Sequence, residues 1–165
     1  PSEILVVADE GNDPDWIAAD LLSQAEHDPT SQSILITDDS GFADRVSAAV
    51  ERKLGTLATR DVARASWEAH GAIIIVRDLN DAPPLVDRLA PEHLELAVAD
   101  GVGDALHLLG IEDTLGATGG QCDTVVDSAT LALIPQVLAA RGIQTLDLTG
   151  GAPELHEGLD RKSVV

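Results

Sequence analysis

The stretch EILVVADEGNDPDWIAADLLSQAEHDPTSQSILITD (residues 3–38) decides the fold. It opens on a short, continuously apolar run, EILVVAD (3–9), of the kind that a parallel strand covered on both faces requires. In DPDWIAADLLSQAEH (13–27), Asp13 stands where an N-cap is needed. Pro14 takes the first helical position, where its missing N–H goes unnoticed. Ile17, Ala18, Leu21, Leu22 and Ala25 recur at helical spacing and form one buried stripe. QSILITD (32–38) is a second apolar run. Strand, helix and strand in this order make a parallel βαβ unit.

The same rhythm continues outward. Further strands are expected at AIIIVRD (72–78), LELAVAD (94–100), DTVVD (123–127) and TLDLTG (145–150). SGFADRVSAAVERKLGTL (40–57) reads as a helix that buries Phe42, Val46, Ala49, Val50 and Leu54 and ends near Gly55. APPLVDRLAPEH (82–93) is a short helix or turn interrupted by Pro91. DSATLALIPQVLAARG (127–142) is a helix that Pro135 should kink or split. Between 101 and 121 the chain is glycine-rich and the pattern fails. The expected architecture is a single three-layer α/β domain. Its mostly parallel sheet, Rossmann-like or flavodoxin-like, has five to six strands with helices on both faces.

Composition supports this and removes several function classes. The 165 residues are 44% apolar, yet Trp16, Phe42 and Trp67 are the only aromatics, so the core is built from Val, Ile, Leu and Ala. Ten basic residues against 29 acidic ones give a formal charge of -19. That balance disfavours nucleic acid and anionic membrane surfaces as partners, since each phosphate contact calls for a cation. Cys122 is the lone cysteine, which excludes an internal disulfide framework and multi-cysteine metal centres. No apolar run reaches membrane-spanning length, and a cytoplasmic protein is expected. The chain opens on Pro1 and holds no methionine, so the numbered start is not expected to be a natural one.

A doubly wound sheet invites a dinucleotide. The turn after the first strand, ADEGNDPDW, offers one glycine and four carboxylates where a Rossmann site needs Gly-x-Gly-x-x-Gly. Asp38, Asp39 and Asp78 follow the next strands, so an anion at this edge would meet like charge. LGATGGQ (115–121) and LTGGAP (148–153) are better backbone nests, although paired glycines also occur in ordinary turns.

Two constellations carry chemistry. Gln24 and His27 lie three residues apart on one edge of the first helix, with Asp20 beside them, and residues at that spacing can share a metal ion. Zinc wants three protein ligands or more, so a partly exposed surface histidine is the competing reading. Glu92 and His93, in APEHLEL just before the strand at 94–100, can divide general-base and general-acid work; a solvated loop is the alternative. His70, His107 and His156 show no partner spacing.

PSEILVVADE, NDPDWIAADLLSQAEHDPTSQSILIT and VDRLAPEHLEL occur in an order and spacing that resemble histidinol dehydrogenase over residues 1–100. That resemblance implies oxidation of L-histidinol through the aldehyde to L-histidine with two NAD and one zinc ion. It implies Gln24 and His27 as zinc ligands and Ser2, Gln24 and His27 as substrate contacts. Glu92 would activate water in the second oxidation, and His93 would relay protons. The family completes its zinc site with an aspartate in a GDY-type stretch and a histidine near its C-terminus, contributed across a dimer. Neither motif is present, and the resemblance stops after Ala99. The family's NAD contacts lie in a preceding domain.

DSATLALIPQVLAARGIQTLDLTGGAPELH (127–156) resembles a helix–strand segment of a radical S-adenosylmethionine enzyme, whose three cluster cysteines this chain lacks. The sequence alone therefore leads to an engineered or chimeric α/β protein, joined through 101–126. On that expectation Gln24, His27, Glu92 and His93 are vestigial, and no catalysis and no cofactor are expected. The alternative is a fragment or divergent member of the histidinol dehydrogenase family, using zinc and NAD, with a homodimer left open. A third is a small-molecule binding module at the glycine turns near 116–120 and 149–151.

Overall fold

Leu5, Val7, Ile34, Ile36, Leu94 and Leu96 pack on one side of a sheet, and Ile4, Val6, Ala8, Leu35 and Ala97 on the other. Both faces are apolar because both are covered, which is why these strands read as unbroken hydrophobic runs. The computed structural model describes residues 2–98 and the backbone of 145–149. Its elements are β1 (Glu3–Ala8), α1 (Pro14–Ala25), β2 (Gln32–Thr37), α2 (Ser40–Leu54), α3 (Arg60–His70), β3 (Ala72–Ile75), a 3₁₀ turn (Leu79–Asp81), α4 (Pro83–Leu89), β4 (His93–Ala97) and β5 (Thr145–Thr149).

The strands run in the order β3-β2-β1-β4-β5, and every pairing is parallel. This is the doubly wound, Rossmann-like arrangement expected from the sequence, with β1 at its centre. α1 and α2 cover the face of Ile4, Val6 and Ala8 with Ile17, Leu21, Phe42, Val46 and Leu54. α4 covers the opposite face through Val86, supported by Leu85 and Leu89.

Local chemistry explains most boundaries. Asp13 caps α1 by accepting from Asp15 N–H at 2.8 Å, with Pro14 in the first turn. Asp39 caps α2 by accepting from Phe42 N–H. Asp78 caps the 3₁₀ turn through Asn80 N–H at 2.8 Å.

Three expectations are corrected. α3 was not foreseen: only Ala63 and Ser66 of this helix are buried, too small a face to show as an apolar stripe. Gly71, at its end, lets the chain pass where a Cβ would collide with Trp67. β3 stops at Ile75 rather than Asp78, because Asp78 is committed to its cap. β4 starts at His93 rather than Leu94, because His93 pairs in register with Ile4. The expected strand at 123–127, the helix at 127–142, the glycine-rich 101–121, both glycine turns apart from the backbone of Thr149, His107, Cys122 and His156 lie outside the described residues.

Candidate metal and acid–base site

α1 runs antiparallel to the strands it connects, so its C-terminal end lies at the edge where the strands begin. Ser2 immediately precedes β1, and its carbonyl accepts from Gln32 N–H at 3.0 Å. His93 opens β4, with Glu92 just before it. Ser2, Gln24, His27, Glu92 and His93 therefore gather at the amino edge of the sheet. Alternation along the strands adds a side to this placement. Ile4 and Ala97 belong to the α1 face, so Ser2 and His93, each an even number of residues away, share that face with Gln24.

Gln24 is not at a polar edge. It is 7% exposed, and its carboxamide makes no hydrogen bond to another described residue. Its polar neighbours differ. Ser33 Oγ donates to Leu21 O at 2.7 Å, and Ser66 Oγ donates to Ser31 O at 2.8 Å. Ser31 Oγ is the one buried side-chain polar atom left unpartnered among the described residues, so the Gln24 carboxamide reaches solvent through the small exposed part of its side chain.

His27 is exposed and lies beyond the end of α1, not on the helix as its spacing suggested. Its N–H donates to Gln24 O at 3.2 Å. That i to i−3 closure keeps the imidazole one turn from the Gln24 amide. Asp28 follows, and Thr30 grips its carboxylate through the hydroxyl at 2.7 Å and the backbone N–H at 2.8 Å. Both bonds favour the charged form, so the Asp28 pKa is lowered from its ordinary value.

Glu92 Oε1 lies 3.8 Å from His93 Nε2, with about a third of each side chain exposed. A carboxylate and an imidazole this close, and open to solvent, can accept and pass protons to a bound small molecule. His93 is thus held by the β4 ladder rather than carried on a free loop.

The opposite edge is where doubly wound sheets ordinarily take their ligands, in the crevice between the strands at which the order reverses. Here that crevice lies between β1 and β4. Asn12 bridges it: its amide donates to Ala97 O at 2.6 Å, Asp9 Oδ1 at 3.1 Å and Asp9 O at 3.2 Å. Asp9 also accepts from Gly11 N–H at 2.8 Å. The sequence reading passed over Asn12, since nothing local links it to Ala97.

The family model described as histidinol dehydrogenase matches residues 1–107. The chain belongs to the histidinol dehydrogenase family. A histidinol dehydrogenase from Rhodospirillum rubrum is 71% identical over 101 residues, covering 61% of this chain and 23% of that protein. One from Zymomonas mobilis is 67% identical over 100 residues, again 61% of this chain and 23% of the relative. The crystal structure of histidinol dehydrogenase from Elizabethkingia anophelis matches with a TM-score of 0.56 and 32% identity, over 60% of this chain and 26% of that one. The chain thus spans about a quarter of the length of the relatives it matches.

These findings overturn the expectation of an engineered chimera. The family match runs to residue 107, past Ala99 where the resemblance was expected to stop. High identity to histidinol dehydrogenases extends over some hundred residues. Among the described residues no helix is long and apolar enough to cross a membrane.

Proposed function

We propose that residues 2–98 form the metal- and acid–base-bearing part of a dehydrogenase that oxidises L-histidinol through the aldehyde to L-histidine, with NAD as oxidant. The observation that carries this reading is the convergence of Ser2, Gln24, His27, Glu92 and His93 on one sheet edge from β1, α1 and β4. Family membership supports it.

The donor chemistry suits zinc. Gln24, a largely buried residue, offers an amide oxygen that no other described residue bonds, and His27 offers an imidazole one turn away. Among the described residues no cluster of three His, Cys, Asp or Glu is present. Gln24 and His27 are therefore two donors of a larger set, to which a second copy of the chain in a homodimer contributes on this proposal. Bound there, zinc supplies Lewis-acid polarisation of the substrate oxygen.

The remaining work belongs to the side chains. The Ser2 hydroxyl orients the substrate by hydrogen bonding. His93 accepts the alcohol proton and returns it to solvent, aided by the Glu92 carboxylate 3.8 Å from its Nε2. In the second oxidation Glu92 takes a proton from water as it adds to the aldehyde.

The test is metal retention after zinc loading and dialysis. The parent chain is expected to retain zinc, and Gln24→Ala and His27→Ala to lose it. Equal retention by the parent and both variants overturns the reading.

A further inference from the structure

α4 hands the chain to β4 through Ala90, Pro91 and Glu92. Ala90 sits at φ 44°, ψ 57° and is the one non-glycine residue with positive φ among those described. A Cβ is crowded there, which is why glycine or asparagine normally fills a left-handed helix cap. Its own side chain is exposed, so no burial of the methyl explains the choice. The Ala90 N–H closes α4 on Val86 O at 2.8 Å. Pro91 follows, buried, unable to continue a helix and unfavourable to a right-handed helical residue before it.

The residues delivered by this turn are Glu92 and His93. Leu94 and Leu96 face the α4 side of the sheet, so His93 falls on the opposite face, and the two side chains meet around the strand end at 3.8 Å. We propose that Ala90 is a positioning residue. Its left-handed turn, backed by buried Pro91, fixes the direction in which Glu92 and His93 enter the sheet and thereby holds them together. The proposal rests on reading these two as the acid–base pair. Alanine bears a steric cost in this conformation but has fewer alternative backbone conformations than glycine would have at residue 90. Beyond Glu92, the titratable side chains of this edge are Glu3 on β1, Glu95 further along β4, and Glu26, His27 and Asp28 after α1.

The test reads the pairing directly, by NMR of the His93 ring at fixed pH in the whole chain. In the parent, Glu92→Gln is expected to move the His93 ring resonances. In Ala90→Gly that response should fall by half or more, while the thermal midpoint stays or rises as strain is relieved. Ala90→Asn, which tolerates the left-handed region yet keeps a Cβ, should retain the response. An undiminished response in Ala90→Gly overturns the proposal, as does no response in the parent. Loss of both response and stability in Gly and Asn variants alike also overturns it, because that marks a purely structural turn. None of these outcomes depends on zinc at Gln24 and His27, so this proposal and the proposed function can fail separately.

Discussion

At the edge where the strands end, Asp9, Asn12, Asp13, Asp39 and Asp78 all hold backbone groups or one another. At the edge where the strands begin, Gln24 is largely buried with a carboxamide that bonds no other described residue, and Glu92 and His93 stand partly exposed beside each other. Polar side chains at the first edge serve the fold. At the second, the side chains of Gln24, Glu92 and His93 hold no backbone group of the described residues. A doubly wound sheet ordinarily has the reverse arrangement, with the ligand at the carboxyl ends of its strands. In this chain the caps of α1, α2 and the 3₁₀ turn, and the Asn12 bridge, use the polar groups of that edge.

The comparison breaks most visibly in turnover. On the proposed function, Glu92→Gln or His93→Asn should lower the rate of a histidinol-dependent NADH assay by about 10²–10⁴-fold, with little change in unfolding midpoint because both side chains are partly solvated. A rate within a few-fold of the parent would place the chemistry elsewhere. The carboxyl edge should behave in the opposite way. Asn12→Ala, which loosens β1 from β4, and Asp39→Ala, which uncaps α2, should each cost about 1–2 kcal/mol in urea unfolding. Neither should alter zinc retention.

Gln24→Leu sharpens the contrast. Replacing a carboxamide that bonds no described residue with an apolar side chain of similar size should leave stability within about 1 kcal/mol of the parent while abolishing zinc retention. A larger loss of stability would mean that the amide serves the fold after all. The amino edge has exceptions: Glu26 accepts from the Thr59 hydroxyl at 2.7 Å, and Thr30 holds Asp28 as tightly as any cap. The Asp28 pKa is lowered in the folded chain, chiefly by the Thr30 hydroxyl. Its contribution is therefore fully present above the ordinary Asp value of ~3.9 and is lost as pH falls through the lower folded value. Thr30→Ala should reduce the midpoint slightly at neutral pH, and the difference should vanish in acid. A difference that persists in acid would assign the effect to something other than this carboxylate.

Much of this was open to view in one dimension. The apolar runs of β1 and β2, the Asp13–Pro14 start of α1 and the Phe42–Leu54 stripe of α2 depend on neighbours within a few residues. α3 escaped notice because its inward face is Ala63 and Ser66, residues whose size, not hydrophobicity, lets the helix approach β2. The family resemblance was legible in residues 1–100, but the inference of a chimera was not sound. It rested on motifs missing beyond Ala99 and on a second resemblance over 127–156, while the match itself continues to residue 107.

The sequence by itself determined the βαβ rhythm and the caps, because each follows from local propensity and spacing; the side chains proposed for metal and proton chemistry were assigned those roles only by the family resemblance. Only the tertiary structure decided that Gln24 is buried, that His27 lies past the helix end, and that His93 is the first residue of a strand. It also decided that Ser2, Gln24, His27, Glu92 and His93 share an edge while Asn12 bridges the other. Those outcomes depend on the register Ile4↔His93 and Glu3↔Gln32, which joins residues far apart in the chain through hydrogen bonds that no local pattern encodes.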